Sequence, residues 1–199
     1  LHKMIHEISG FDRQGSIQEP KFELDVDLHT RLFYENRKTL NFTKKNKTSD
    51  KTMYILVGPS CSGKSTYRFD GLPVISRDDI IMDLFSDDYS TAFEQSTQPG
   101  NKQKIESEMS KILRDAKNNS DLIIDMTNMS RKSRKRWINQ WNGEVKCIVF
   151  KTSLNDILER NQNRYKETKK FIPEFIIYDQ MKRFEYPKYS ENIDEIILV

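Results

Sequence analysis

The sequence predicts an α/β fold in which a parallel β-sheet carries helices on both faces, with an N-terminal extension ahead of it. Three observations lead there. From Met53 onward, short apolar runs recur at 54–57, 73–76, 121–125, 145–150 and 195–199, and they are continuous rather than alternating. A strand that is apolar at successive positions is buried on both faces, as in a parallel sheet. Stretches of helical pattern lie between the runs, at 103–117, 130–141, 154–164 and 173–184. Strands alternating with helices build βαβ units. The first run also leads straight into a glycine-rich turn that begins at Gly58.

Composition sets the frame. The chain has 199 residues, 36% hydrophobic and 32% charged, which fits one domain of ordinary size with a single core and room for an appended segment. No apolar stretch approaches the roughly 18 residues of a membrane span, and the N-terminus lacks the apolar core of a signal peptide. Cys61 lies in the glycine-rich loop and Cys147 in an apolar run. Neither suggests a disulfide framework, so a reducing, cytoplasmic setting is expected. Residue 1 is Leu, which leaves open whether the chain is a fragment of a longer protein. The formal charge is only +3 and does not by itself call for a nucleic-acid partner.

The chain divides near Met53, into an extension at 1–50 of unknown role and a domain at 53–199. Residues 44–51 are polar without an apolar anchor and read as a linker. Residues 22–28 alternate apolar and acidic side chains, the pattern of a short strand with one wet face. Asp25, Asp27 and His29 there fit a solvated strand face better than a metal site.

Gly58-Pro59-Ser60-Cys61-Ser62-Gly63-Lys64-Ser65 matches the phosphate-loop pattern G-x-x-x-x-G-K-[ST] without a mismatch, and Thr66 follows. Its context also fits, with an apolar strand before it and a plausible helix start after it. The glycines let the backbone curl so that N–H groups face phosphate oxygens, and a helix starting there adds its positive end. Lys64 supplies a charge for the β- and γ-phosphates of ATP or another nucleoside triphosphate, and Ser65 an oxygen for Mg²⁺. Residues 122–125, Leu-Ile-Ile-Asp, form an apolar strand ending in an acid, which places Asp125 near the same cation. The loop argues for nucleotide binding far more strongly than for any reaction.

The second strand ends in Ser76-Arg77-Asp78-Asp79. Ligands of a doubly wound sheet sit at the carboxyl ends of its strands, so a carboxylate there can orient an acceptor hydroxyl and take its proton. Asp78 is assigned that role, and Asp79, just before a helical stretch, the role of N-cap. Arg160 and Arg164 share a helix face at i and i+4. Turned toward a triphosphate they can neutralise charge on the transferred group; the alternative is a solvent-facing helix. Residues 131–136 hold five basic side chains in six, a strip that can track a phosphate backbone or simply be a solvated helix face.

The order of Gly58–Thr66, Arg77–Asp79, Asp125-Met126-Thr127-Asn128 and Arg160-Asn161-Gln162-Asn163-Arg164 resembles the kinase domain of the phage-type polynucleotide 5′-hydroxyl kinases. Residues 172–174 and 184–187 also resemble segments of that wider P-loop group. The resemblance covers about 53–199 and none of 1–50. It implies an adenylate-kinase-like P-loop fold, Asp78 as general base, Arg160 and Arg164 as lid arginines, and acceptor contacts from Arg77, Thr127, Asn128 and Arg131. One departure stands out: the family's arginine three positions beyond the base is here Ile81. The implied activity is γ-phosphoryl transfer from ATP with Mg²⁺ to a 5′-hydroxyl end of RNA or DNA, in nucleic-acid end repair. Two alternatives stay open. One is a kinase for a small-molecule hydroxyl of a nucleoside, sugar, antibiotic or nucleotide sugar. The other is a non-catalytic nucleotide-binding module.

Overall fold

The computed structural model describes residues 47–168 and 170–199; the alternating stretch at 22–28 lies outside them. Five strands form one sheet: β1 (Thr52–Val57), β2 (Val74–Ile75), β3 (Leu122–Ile124), β4 (Glu144–Val149) and β5 (Glu195–Leu198). Their order is β2-β3-β1-β4-β5, and every pairing is parallel. The continuous apolar runs are buried as expected: Met53, Ile55, Leu56, Val57 and all of β3 have essentially no exposed surface. β1 sits at the centre because it is hydrogen-bonded to β3 on one side and β4 on the other. The carboxyl ends of β1, β2, β3 and β4 therefore lie side by side.

The helices are α1 (Arg77–Phe85), α2 (Tyr89–Ser96), α3 (Asn101–Asn119), α4 (Arg131–Ile138), α5 (Leu154–Thr168) and α6 (Glu174–Lys182). The sequence pattern anticipates all but α2, whose polar and β-branched residues carry little apolar periodicity. Alternate residues of β1 separate two cores. Met53, Ile55 and Val57 face a large cluster with α1, α3 and α4, whereas Leu56, with Ile123 and Ile148, faces a small one. Tyr67 and Leu72 pack on that small cluster. Edge-to-face contacts of Tyr54 with Phe69 (5.1 Å), and of Tyr67 with Phe69 (5.6 Å) and Phe150 (5.7 Å), complete the cover.

That aromatic cover explains one difference from expectation. The helix anticipated after the phosphate loop is only a 3₁₀ turn, Lys64–Tyr67. The chain must reach β2 by residue 74, Gly71 takes a left-handed φ of 79°, and Pro73 cannot continue a helix. A second difference concerns the linker. Its described part is fastened to the sheet edge: Lys47 pairs with Asp194 at 2.5 Å, Thr48 N–H donates to Asn142 O at 3.0 Å, and Lys51 O accepts from Glu144 N–H at 2.9 Å. Among the described residues no helix is long and apolar enough to cross a membrane.

Candidate active site

The loop Gly58–Ser65 leaves β1 and turns beneath α5. Gly58 is there for close approach: a Cβ would meet Ser62 Oγ at 2.6 Å and Phe150 Cβ at 3.1 Å. Gly63 is there for its φ of 93°, and Cys61 adopts the left-handed region too, at 64°. A non-glycine residue held in that region marks a backbone fixed by its surroundings. The surroundings are identifiable. Ser60 N–H donates to Gln180 Oε1 of α6 (2.8 Å), Gly58 N–H to Thr127 O (3.0 Å), and Thr152 Oγ1 to Ser62 O (2.9 Å). Cys61 Sγ lies 3.7 Å from Asn161 Oδ1, and burial raises its thiol pKa despite the nearby Arg164 and Lys64.

Lys64 is buried, and its ammonium donates to Pro59 O. Burial lowers its pKa to about 8, although Asp125 and other charges oppose the shift. Ser60, Cys61, Lys64 and Ser65 open onto a cavity of about 440 Å³ that also takes in Arg77, Asp78, Asp79, Asp125, Thr127 and Arg164. Arg160 NH1 lies 3.4 Å from where a Gly63 Cβ would stand. The buried Nε of Arg164 has no hydrogen-bond partner among the described residues, and its NH2 donates to Asn161 Oδ1 at 3.2 Å. Both arginines thus stand over the loop. Asn161 between them is a staple, accepting from Ile172 N–H and donating to Ile172 O.

Asp78 and Asp79 both belong to the first turn of α1. The N-cap is Ser76, whose Oγ accepts from Asp79 N–H at 3.3 Å, so the capping role given to Asp79 is corrected. The helix begins one turn earlier than its apolar pattern suggests, which moves the cap back to the strand end. Asp79 instead pairs with Arg68 NH1 at 2.7 Å, and the same guanidinium bonds Asp125 Oδ2 through Nε (2.9 Å) and NH2 (2.8 Å). Asp78, about half exposed, pairs with Lys170 and accepts from Tyr89 OH at 3.3 Å. Burial, aided by Asp78, pushes the Tyr89 phenol up to about 12, which keeps its proton on the donor side.

Neither Lys170 nor Arg68 has a motif, and the sequence reading omits both. Their carboxylate partners lie 92 residues away for Lys170 and 57 for the Arg68–Asp125 pair. A Lys169-Lys170 pair between two helices is the one signal on offer.

Two of the expected substrate contacts, Asn128 and Arg131, do not line the main cavity. Asn128, with a φ of 47°, is buried, and its amide donates to Leu56 O (2.9 Å) and Met126 O (3.2 Å). Its amide ties the ends of β1 and β3 together, and the residue lines the smaller cavity beside the main one. Arg131 is exposed, lines neither the main cavity nor the smaller one beside it, and uses its N–H on Glu185. The basic strip is also shorter than it reads. Arg134 is fully buried and forks onto Glu191 at 2.9 and 3.0 Å, and Arg136 pairs with Glu106.

The donor set suits Mg²⁺. Ser65 gives an exposed hydroxyl and Asp125 a carboxylate whose Arg68 contacts both fall on Oδ2, leaving Oδ1 for a water or cation. Among the described residues no group of three or more His, Cys, Asp or Glu could hold a metal unaided. Mg²⁺ needs none, because it keeps waters and takes substrate phosphate oxygens.

A parallel sheet in the order 2-3-1-4-5, with a phosphate loop after the central strand, defines a P-loop protein of the kinase-like fold, a fold that implies nucleotide binding. Residues 53–187 match the AAA domain family, and the chain belongs to that family. Its relation to polynucleotide-kinase-like domains is borne out by a chain of the Pnkp1/Rnl/Hen1 RNA repair complex: 25% identity and a TM-score of 0.59 over 77% of this chain and 49% of that one. This chain therefore spans about half the length of that relative. A chain of the PezAT chromosomal toxin–antitoxin system of Streptococcus pneumoniae shares the fold, with 17% identity and a TM-score of 0.51 over 92% of this chain and 78% of that one. No curated protein matches the sequence.

Proposed function

We propose that the protein transfers the γ-phosphoryl group of ATP to a 5′-hydroxyl end of RNA or DNA. The observation that carries this is a phosphate loop and a half-exposed carboxylate, Asp78, sharing one cavity with positive charge on both sides. Similarity to a chain of an RNA repair complex supports the choice of acceptor. The proposed chemistry is positioning and charge. Loop N–H groups and the Lys64 ammonium hold the phosphates, and Arg160 and Arg164 neutralise charge spreading over the transferred group. Mg²⁺, when bound, would be held through Ser65 and Asp125 and would screen the phosphate oxygens. The acceptor hydroxyl competes with Lys170 for Asp78 Oδ2, donates to that oxygen and gives up its proton late. Arg77 and Thr127 line the acceptor half of the cavity.

A small-molecule acceptor is favoured by two observations. Ile81 is fully buried in the core, and of the basic strip Arg134 is buried against Glu191 while Arg136 is held in a surface ion pair with Glu106. Transfer of labelled phosphate from ATP to a 5′-hydroxyl oligonucleotide, with nucleosides and sugars in parallel, separates the readings. Label on the oligonucleotide is the expected result; label on nucleosides or sugars alone would replace the polynucleotide with a small molecule.

A further inference from the structure

Two cations that line the cavity, Arg77 and Lys170, each stand against an aromatic ring, and further rings adjoin them. Arg77 from α1 lies over the Phe93 ring, 5.7 Å from its centroid. Phe93 neighbours Tyr89, 6.1 Å away and tilted by 30°. Lys170 Nζ, from the α5–α6 connection, sits 3.6 Å above the Tyr89 ring. Phe171 follows Lys170 and meets Tyr165 edge to face at 5.7 Å. Arg77 and Lys170 line the cavity itself. Phe93, Tyr165 and Phe171 are 47%, 49% and 47% exposed, and none belongs to a core cluster of the described residues. Packing in the core clusters of the described residues therefore does not account for the exposure of Phe93 and Phe171. Large exposed rings beside cations are what a partner with flat aromatic groups and regular negative charge requires.

We propose that this band of cations and rings is the docking surface for the unpaired end of a polynucleotide, a proposal that rests on the acceptor being a polynucleotide. Successive bases stack on Phe93 and Phe171, Arg77 and Lys170 meet backbone phosphates, and the leading 5′-hydroxyl is delivered to Asp78. Base-on-ring stacking tolerates any sequence and supplies affinity that a phosphate contact alone lacks. A blunt duplex cannot use the rings, because its bases already stack on one another. The occupant is accordingly a single strand. A neutral sugar would bring no negative charge to Arg77 and Lys170.

The test uses the whole chain and a short 5′-hydroxyl oligonucleotide with fluorescein at its 3′ end. Anisotropy gives its affinity as a single strand and as a blunt duplex, and label transfer gives KM and kcat. Phe93→Ala and Phe171→Ala are each expected to weaken single-strand binding about tenfold. Both should raise KM in step while leaving kcat, ATP affinity and the melting temperature alone. Phe93→Tyr and Phe171→Tyr keep a ring and are expected to bind as the unaltered protein does. Duplex binding should be weaker and insensitive to all four changes. If the oligonucleotide is phosphorylated but duplex and single strand bind alike and the alanine variants bind normally, the band is not the docking surface, while the proposed reaction stands. If the unaltered protein neither binds nor phosphorylates any oligonucleotide, the acceptor itself is wrong and the band falls with it.

Discussion

The two halves of the cavity are built differently. The donor half is local: eight consecutive residues, Gly58–Ser65, form the loop, and their conformation is set by Gly58, Gly63 and a few bonds from α6 and the β3–α4 segment. The acceptor half is assembled from afar. Asp78 comes from α1, Tyr89 from α2, Lys170 from the α5–α6 connection and Arg68 from the segment after the loop. A loop that must cradle phosphate has few solutions, and so it has a motif. An acceptor surface needs only charge and shape at a place, which many sequences supply.

The largest expected effect belongs to the donor half. Lys64→Ala should lower phosphoryl transfer by about a hundredfold or more while the protein keeps a cooperative melt, measured by steady-state kinetics with parallel denaturation. A variant near normal turnover would take the loop out of the reaction. Next comes the fold beneath the acceptor half. Arg134→Ala leaves Glu191 buried without its partner and should cost about 3–5 kcal/mol in denaturant unfolding. A loss near zero would mean that Arg134 is solvated after all.

The pH dependence of Lys64 sharpens the comparison further. Its folded pKa is lowered from 10.5 to about 8 by burial. Below about 8 the ammonium is charged and attracts phosphate; above it the charge is lost. Nucleotide affinity should therefore be flat below pH 8 and fall above it, and Lys64→Ala should remove that fall. Stability runs the other way. Between about 8 and 10.5 the unfolded chain binds more protons, so the lysine's contribution makes the folded state more stable as pH rises. Calorimetric titration and melts across that range test both signs.

The smallest effect concerns α4. Only Arg131, Lys132 and Lys135 of the strip are exposed without a described ion pair. Neutralising all three should lower the salt slope of oligonucleotide binding by at most about three, roughly one for each phosphate that no longer meets a cation. An unchanged slope would remove α4 from the interface.

The same contrast explains what could be read in the sequence. The five strands were legible because parallel strands are apolar throughout, and the loop because its spacing is dictated by phosphate. Arg160 and Arg164 were legible as a pair on one helix face, and both do stand over the loop. Asp78 and Asp79 were given different roles from the sequence, but the cap is Ser76, and the partners that distinguish the two, Arg68 for Asp79 and Lys170 for Asp78, carry no motif. Asn128 and Arg134 are more buried than their sequence suggests, for a common reason. A polar side chain at a strand end or in a basic run looks available in sequence, yet each is buried against backbone carbonyls or, for Arg134, a glutamate as well. Residue type does not disclose burial when the covering group, here Glu191, lies 57 positions away.

The central claim is that Asp78 receives the acceptor proton in a cavity whose donor half works without it. Asp78→Asn tests this most directly, with kcat for label transfer to a 5′-hydroxyl oligonucleotide and Kd for ATP measured on one preparation. A base that aligns the nucleophile contributes about 10²–10⁴ in rate, so kcat should fall by that order while ATP affinity and melting temperature hold. Turnover within a fewfold of the unaltered protein, with ATP still bound, would contradict the account and move the acceptor role to another group, Asp79 first.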